Sequence, residues 1–188
     1  TDYALGHCSR FLYHIIKYYE LKLLNKANAV VVLSDIGLHD LRTEGVQNTF
    51  RIVPNSGSLG LLTSPRQEIH LPIRDYILLY NGTMRPTEGL DILIKALPYL
   101  TRDIPSFLLV MAGGGEEVQS LQTLASTLGV NDFITWTGKI SDAHLRSYYE
   151  QANLFVHPRQ NIPYQQSFIG IKVYDALNFG LPVVTGDF

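Results

Sequence analysis

Apolar residues recur with helical spacing over the first part of the chain and then give way to a continuous apolar run. Between Ala4 and Ala27, one helical face carries six such residues: Phe11, Leu12, Ile15, Ile16, Tyr19 and Leu23. The segment that follows, Asn28–Leu33, is rich in β-branched residues, which is typical of a strand buried in a parallel sheet. The pattern therefore predicts a helix followed by a buried parallel strand.

The next stretch repeats this order of helix and strand before the pattern is lost. A helix is predicted to start at a capping residue, Ser34 or Asp35, and to end near Gly45. A second strand is predicted over Thr49–Val53. Residues 55–74 contain several Ser, Gly and Pro residues and show no clear period, so we interpret them as a linker.

Beyond the linker, short apolar runs alternate with helical patterns. Strands are predicted at Tyr76–Tyr80, Phe107–Met111, Phe133–Trp136, Leu154–Val156 and in the final buried run up to Val184. Helical patterns separate them, around 90–100, 118–128, 141–151 and before Gly180. Strands that alternate with helices over short loops predict an α/β fold with a parallel sheet covered on both faces. Ligands of such sheets bind beyond the carboxyl ends of the strands.

The last unit of this series, residues 168–184, combines a helix start with an acidic side chain. Gly170 stands where the helix begins and where main-chain amides point outward, a geometry that binds phosphate. Asp175 follows about one turn later and offers a carboxylate to sugar hydroxyls. Gly180 suits the left-handed residue that ends a helix. The first hypothesis is therefore a nucleotide-sugar site.

Glycine and basic residues follow the other strands of the series. The set expected at one sheet edge comprises Gly82, Arg85, Gly113, Gly114, Gly115, Lys139 and Arg159. Glycines let the backbone approach a ligand, and exposed amides bind phosphate without a metal. The glycine spacing does not match a dinucleotide-binding fingerprint, which disfavours a Rossmann dehydrogenase.

Each of these residues also has a purely structural interpretation. Gly113–Gly115 can be a flexible turn, and Arg85 and Lys172 can be ordinary surface charges. His157 is interpreted as a histidine at the edge of the core that finds a hydrogen bond.

The composition of the chain limits which binding partners, cellular compartment and metal sites are to be expected. The 188 residues are 46% apolar, enough for a sizeable core, and the net charge of −2 gives no general attraction to nucleic acid. The single cysteine, Cys8, cannot form an internal disulfide and fits a reducing compartment, so we expect a cytoplasmic location. His7 and Cys8 lack a second ligand pair with metal spacing, so no metal site is expected.

No apolar run is long enough to span a bilayer. The first helix is basic and aromatic, which leaves peripheral membrane contact as an alternative to a packed helix with a solvated face.

The sequence resembles the retaining GT-B glycosyltransferases related to glycogen synthase and sucrose synthase, often called family 4. Eight segments match the landmarks of that family in order: Asn28–Ser34, Arg51–Asn55, Tyr80–Gly82, Gly89–Leu93, Ala112–Gly115, Thr135–Gly138, Leu154–Pro158 and Asp175–Val184. One such landmark is a weak signal, whereas eight in the correct order are specific. The resemblance covers nearly the whole chain, from Lys17 onward.

The resemblance implies two Rossmann-like, doubly wound parallel-sheet lobes. Residues 1–54 would be the tail of the N-terminal, acceptor-binding lobe, residues 55–74 the linker between lobes, and residues 75–188 most of the C-terminal, donor-binding lobe. Family members move a sugar from a nucleotide-diphosphate sugar to a saccharide or lipid-linked acceptor, retain the anomeric configuration and generally need no metal or other cofactor. A hexosyl-type role in polysaccharide biosynthesis is expected of the full-length protein. The fragment alone is expected to be inactive, because most of the acceptor lobe is missing.

The resemblance also implies roles for individual residues. Asp175 would hold the ribose hydroxyls, at a position where the family usually has the longer Glu. The loop 137–140, with Lys139 and Ile140, would approach the base through its backbone. Amides near Gly170 and Ile171 would hold the diphosphate. Stabilising the negative charge that grows on the leaving diphosphate is the main electrostatic task of this chemistry.

Some positions depart from the family pattern. Ser167 stands where many members have a Glu that touches the donor sugar. The basic pair that clamps the phosphates in the family falls on Thr83 and Glu88, and neither residue is basic. We expect Arg85 or Lys172 to supply the missing charge.

Three functions are therefore weighed. The first is a retaining glycosyltransferase that acts on a cell-envelope, polysaccharide or lipid-linked acceptor. The alternative, favoured by the departures, is a catalytically inactive GT-B relative that acts as a binding or partner module. The third, a nucleotide-sugar epimerase of GT-B fold, ranks last because it needs carboxylates that this sequence does not display.

Overall fold

The structure is a computed structural model that describes residues 9–160 and 169–186. Three residues of interest, His7, Cys8 and Ser167, lie outside the described residues, as does the predicted helical stretch 4–8. The chain divides into two compact units. Unit 1 comprises residues 1–55 and 162–169, and unit 2 comprises residues 56–161 and 170–188.

Unit 1 contains two helices and two parallel strands among its described residues. Their bounds are α1 Arg10–Lys26, β1 Val30–Val32, α2 Asp35–Thr43 and β2 Phe50–Ile52. Ser34 caps α2, because its hydroxyl accepts a hydrogen bond from Gly37 N at 3.1 Å. Strands β1 and β2 pair in parallel with Val31 opposite Arg51. The predicted order of elements is confirmed.

The burial predicted for unit 1 is wrong in two places. Helix α1 has no buried residue within the described part of the chain, and the apolar face predicted to pack includes Phe11 at 77% exposure and Leu23 at 68%. In β1, Val30 and Val32 are buried but Val31 is 62% exposed. An apolar run shows which side chains prefer burial, but it does not show how many faces of a strand are covered.

Unit 2 follows the predicted alternation. Its helices are α3 Leu59–Thr63, α4 Leu90–Asp103, α5 Val118–Thr127, α6 Asp142–Gln151 and α7 Ile171–Asn178. Its strands are β3 Tyr76–Asn81, β4 Phe107–Ala112, β5 Ile134–Gly138, β6 Leu154–His157 and β7 Val183–Thr185. Short 3₁₀ turns occupy Pro86–Glu88 and Asn131–Phe133. Helix α3 lies within the stretch interpreted as a linker and buries Leu61.

The five strands of unit 2 form one parallel sheet in the order β5-β4-β3-β6-β7. The chain moves outward from β3 through β4 to β5, and then returns to the other side of β3 with β6 and β7. This is a doubly wound sheet whose direction reverses between β3 and β6. Ligands of such sheets bind in the crevice outside the carboxyl ends of the strands at that reversal.

Both faces of the sheet are covered, as predicted. Alternate residues of β3 face opposite sides, since Leu78 belongs to one apolar cluster with α4 and α5, and Leu79 belongs to another with α3, α6 and α7. Strand β4 is buried along its whole length. The prediction of a buried final strand is wrong for Val184, which is exposed because β7 lies at the edge of the sheet.

Candidate functional site

The loops that follow β3 and β6 meet at the point where the sheet order reverses. Gln160 joins them twice: its backbone N donates to Thr87 O at 3.3 Å, and its side-chain Nε2 donates to Pro86 O at 2.9 Å. Gly89 has a positive φ of 68°, and a Cβ there would collide with Pro158 O. The two loops therefore pack closely against each other, with main chain of one against main chain of the other.

The glycine-rich loop after β4 packs against the loop after β3 in the same way. A Cβ at Gly113 would collide with Gly82 O, and a Cβ at Gly115 would collide with Met84 O. Backbone hydrogen bonds fasten the same contact, including Met84 N to Gly114 O at 2.9 Å. The packing of the loops is thus enough to explain glycine at 113 and 115, whether or not a ligand approaches.

Gly114 has a different environment. A Cβ at this position would meet only the side chain of Lys139, with Cγ at 3.6 Å and Cε at 3.7 Å. The structure therefore brings together two of the predicted donor-binding residues from the ends of β4 and β5. Ile140, by contrast, packs against the apolar cluster below the sheet edge.

Charged side chains surround Glu88 in the loop after β3. Burial raises the pKa of Glu88, while the nearby positive charges of Arg159 and Arg85 lower it. Burial is also the main reason why the pKa of Tyr80 is raised, and the Tyr80 hydroxyl donates to Thr83 O at 3.2 Å. Arg85, which was predicted to supply positive charge, is exposed, and the acidic Glu88 lies close enough for the charge of Arg85 to lower its pKa.

His157 ends β6 directly beside the start of α7. Its Nε2 atom lies 3.4 Å from the position that a Cβ at Gly170 would occupy, and its ring stacks on Phe155 with the centroids 6.2 Å apart. Burial, reinforced by the charge of Arg159, lowers the pKa of His157 to about 4, so the ring is neutral near pH 7. The interpretation as a residue at the core edge is confirmed. The expected hydrogen bond is not found for Nδ1, which is buried and has no partner among the described residues.

Helix α7 begins at Gly170 in an extended conformation, with φ of −64° and ψ of 144°. Glycine has no side chain that caps the helix, and Val173 N donates to Gly170 O at 3.0 Å. The amides of Ile171 and Lys172 have no acceptor among residues 9–160 and 169–186. Such open amides at a helix start are donors for an anion.

The carboxylate of Asp175 is 1% exposed, and its two oxygens have different surroundings. Oδ1 accepts a hydrogen bond from Ser58 N at 2.6 Å. Oδ2 is buried and has no hydrogen-bond partner in the described part of the chain; Lys172 Nζ lies 4.0 Å away, which is too far for a hydrogen bond. A buried acceptor without a donor costs free energy, so a ligand hydroxyl that gained access to Oδ2 would be stabilised there.

The contact of Asp175 with Ser58 was not predicted from the sequence, because residues 55–74 were interpreted as a linker. A partial signal exists there, since Gly57 precedes a serine, a common N-cap residue.

Within the described ranges, no helix is long and apolar enough to cross a membrane. Nor do three or more His, Cys, Asp or Glu side chains of those ranges come together as a metal site would require.

Comparison with known protein families matches residues 64–188, more than half of the chain, to the model of Glycosyl transferases group 1. The chain belongs to this family. The match covers every strand of the unit 2 sheet and all the described residues predicted to bind the donor.

Individual relatives agree with this assignment. The chain is 35% identical over 103 residues to a GDP-mannose-dependent alpha-(1-6)-phosphatidylinositol monomannoside mannosyltransferase of Mycolicibacterium smegmatis, across 54% of this chain and 27% of the relative. It is 26% identical over 183 residues to a D-inositol 3-phosphate glycosyltransferase of Corynebacterium jeikeium, across 88% of this chain and 42% of the relative. The chain thus spans less than half the length of these relatives.

Solved structures share the fold. Sucrose-phosphate synthase from Thermosynechococcus elongatus superposes with a TM-score of 0.72 at 26% identity, over 90% of this chain and 43% of the enzyme. Anabaena HepE, solved with UDP and glucose, gives a TM-score of 0.71 at 17% identity over 90% of this chain and 47% of that protein, a likeness of fold alone. These neighbours are GT-B glycosyltransferases, which confirms the predicted Rossmann-like α/β fold.

Proposed function

We propose that the protein is a retaining glycosyltransferase that moves a sugar from a nucleotide-diphosphate donor to a saccharide or lipid-linked acceptor. Unit 2 would form its donor-binding lobe, and the described elements of unit 1 would belong to its acceptor lobe. The observation that carries the proposal is the buried Oδ2 of Asp175, which accepts no hydrogen bond within the described part of the chain and lies on the helix whose first amides are open. Hydroxyl donors and an anion are the two chemical groups that this pair of features accepts.

The diphosphate of the donor fits the start of α7. The amides of Ile171 and Lys172 have no acceptor among the described residues, and the positive end of the helix favours an anion there. Arg85 and Lys139 add positive charge from the loops after β3 and β5. As the bond to the sugar breaks, charge accumulates on the diphosphate, and donors already fixed in place stabilise it.

The ribose of the donor fits Asp175. One hydroxyl of the sugar donates to Oδ2 and gives the buried oxygen a hydrogen bond that the described residues do not provide. Hydrogen bonds to a charged group contribute about 1.5–3 kcal/mol, roughly twice those between neutral groups. Because amides and basic side chains hold the diphosphate, the proposal includes donor binding without a bound metal. It also includes a cytoplasmic site of action, with peripheral membrane contact where the acceptor is lipid-linked.

The test is a thermal-shift and calorimetric titration of the protein with GDP and UDP. The first follows from the donor named for the M. smegmatis relative, and the second from the ligand of the Anabaena structure. A nucleotide that binds only the folded protein at 100 times its Kd stabilises it by about 2.7 kcal/mol, which raises the melting temperature. The shift is expected with either Mg²⁺ or EDTA present, and the matching monophosphates are expected to shift the melting temperature less.

The alternative is a catalytically inactive GT-B relative that acts as a binding or partner module. One observation favours it: Glu88 places a carboxylate beside Arg85 and Arg159, where a phosphate clamp needs net positive charge. The same titration separates the two functions. No shift at millimolar GDP or UDP, together with no sugar transfer, would favour the module.

A further inference from the structure

A short segment at the start of unit 2, Ser56–Ser58, lies directly on helix α7. A Cβ at Gly57 would collide with the side-chain amide of Asn178 and would come within 3.2 Å of Asp175 Oδ1. Only glycine permits this approach without displacing a neighbour. The segment therefore contacts the same carboxylate that the proposed function assigns to the ribose.

The contact with Asp175 is made by the main chain of Ser58. Ser58 N donates to Asp175 Oδ1 at 2.6 Å, a short bond typical of a charged acceptor. The hydroxyl of Ser58 makes no capping hydrogen bond to α3. The amide is thus the part of residue 58 that contacts the site.

The residues that follow Ser58 are held against helix α6, which restricts the position of the Ser58 amide. Arg146 Nη1 donates to Leu62 O at 2.7 Å and to Ser64 O at 2.5 Å, carbonyls at the end of α3. Ser147 Oγ donates to Gln67 O at 2.5 Å and accepts from Gln67 N at 3.1 Å. Leu61, in the same stretch, is buried in the core.

We infer that the main-chain amide of Ser58 is a positioning group, which holds Oδ1 of Asp175 so that Oδ2 is presented to the ribose diol of a nucleoside diphosphate. This inference rests on the proposed function. The hydrogen bond from Ser58 N restricts rotation of the carboxylate and so limits the directions open to Oδ2. Oδ2 already lies 4.0 Å from the ammonium of Lys172, and without the amide the carboxylate can rotate to shorten that contact.

A proline at position 58 tests the amide alone. Ser58 has a φ of −79°, which proline adopts, and the residue before it is glycine, so the backbone restriction that proline imposes on its neighbour is tolerated. Ser58→Pro removes the N–H and places a ring carbon toward Oδ1. Ser58→Ala is the matched control, because it keeps the amide and removes a hydroxyl that makes no capping bond.

The measurement is the ratio of Kd values for a nucleoside diphosphate and its 2′,3′-dideoxy analogue, using GDP or UDP according to which binds more tightly. The wild-type protein and Ser58→Ala are expected to prefer the ribose form by about tenfold or more, the equivalent of one hydrogen bond to a charged group. Ser58→Pro is expected to lose most of this preference while its affinity for the dideoxy analogue stays nearly unchanged. A variant that is merely less stable would not change the ratio.

Retention of the full preference in Ser58→Pro would overturn the inference. If circular dichroism shows that Ser58→Pro does not fold, Gly57→Ala is compared with the wild type in an Asn178→Ala background. That background removes the collision with Asn178 and leaves the contact of the new Cβ with Oδ1. A reduced preference in the double variant supports the inference, and an unchanged one refutes it.

Asp175→Asn separates this inference from the proposed function. An asparagine oxygen still accepts from Ser58 N, but the second position becomes an NH₂ group instead of an acceptor. If Asp175→Asn loses the ribose preference and Ser58→Pro keeps it, the proposed function stands and the positioning role fails. If the wild-type protein binds neither GDP nor UDP, both fail.

Discussion

The ammonium of Lys172 lies 4.0 Å from the buried oxygen of Asp175 and one residue into the helix that is proposed to bind the diphosphate. The side chain is only partly exposed, so its charge is screened less than that of a fully solvated lysine. Thr83 and Glu88, in the loop after β3, carry no positive charge. Lys172 is therefore expected to attract the diphosphate of the proposed donor.

We predict that Lys172→Ala weakens binding of GDP or UDP by about tenfold, because it removes a cation near the diphosphate and leaves Asp175 without a nearby counter-charge. Isothermal titration calorimetry measures this loss. Lys95→Ala is the matched control, since Lys95 pairs with Asp91 at 2.8 Å on the exposed face of α4. Equal losses in both variants would mean that only the net charge matters.

His157 makes the folded state sensitive to acid. Its pKa is lowered to about 4 in the folded protein by burial and by the charge of Arg159, compared with about 6.5 when unfolded. Between these values the unfolded chain binds more protons, so the free energy of unfolding rises with pH. The stabilising contribution is complete above about pH 6.5 and is lost as the pH falls toward 4, by roughly 3 kcal/mol in total.

We predict that His157→Gln flattens this pH dependence, because glutamine does not titrate. Urea unfolding of both proteins at several values between pH 7 and pH 4.5 gives the free energy of unfolding as a function of pH, and hence one slope for each protein. The difference between the proteins isolates His157 from the carboxylates, which titrate in both. Parallel slopes would contradict the prediction.

At the scale of elements, the glycine-rich loop that follows β4 packs against the loop that follows β3. Gly113 combines a positive φ of 133° with a Cβ position that collides with Gly82 O. Gly129, at the end of α5, also has a positive φ, 68°, but has no atom within 4 Å of its Cβ position. The φ of Gly129 lies in the left-handed region, which alanine can adopt at a modest cost, whereas the φ of Gly113 lies outside it. Gly113 thus has the stricter backbone requirement as well as the collision.

We predict that Gly129→Ala lowers the free energy of unfolding by about 1 kcal/mol, the cost of the left-handed conformation for alanine. Gly113→Ala is expected to cost about 1–3 kcal/mol more, because a main-chain carbonyl must also move. Chemical denaturation of the three proteins measures both values. If Gly113→Ala lowered the free energy of unfolding no more than Gly129→Ala does, the loop would accommodate the new side chain without strain.

The order of elements was predictable because each long element repeats its period. Helix α4 buries Leu90, Leu93, Ile94 and Leu97 at helical spacing, and β4 is apolar throughout. Helix α3 was not predicted, since five residues are too few to establish a period. The exposed face of α1 was mispredicted for another reason: apolar spacing identifies the face but not what covers it.

The candidate site was predictable only where its contacts are made by side chains. The approach of Lys139 to Gly114 follows from the meeting of parallel strand ends at one edge. The bond from Ser58 to Asp175 joins residues 117 positions apart through a backbone amide, a donor present in every residue except proline. The pattern of side chains along the sequence therefore does not reveal this hydrogen bond.

At the scale of the whole molecule, buried apolar side chains are distributed unevenly between the units. Among the described residues of unit 1, the buried ones are Val30, Val32 and Val46. Unit 2 has two apolar clusters, one on each face of its sheet. Regions with few buried contacts open at lower free energy, so the units should differ in local stability.

We predict that amide hydrogens of β3 and β4 exchange slowest and that those of β1 and β2 exchange at least an order of magnitude faster. Hydrogen exchange followed by mass spectrometry on the whole protein resolves the two sheets. The comparison is controlled internally, because both sheets are parallel and are measured in one sample. Equal protection would show that unit 1 is stabilised by contacts other than its apolar burial.

A role carried by a backbone nitrogen has an unusual evolutionary consequence. At residue 58, selection for orienting the Asp175 carboxylate would act against proline and would leave every other amino acid acceptable on this ground. Position 57, next to it, has the opposite character, since a larger residue there would displace the Asn178 side chain and approach Asp175 Oδ1. In a set of orthologues, this role would therefore favour glycine at position 57, followed by a residue at position 58 that varies freely except to proline.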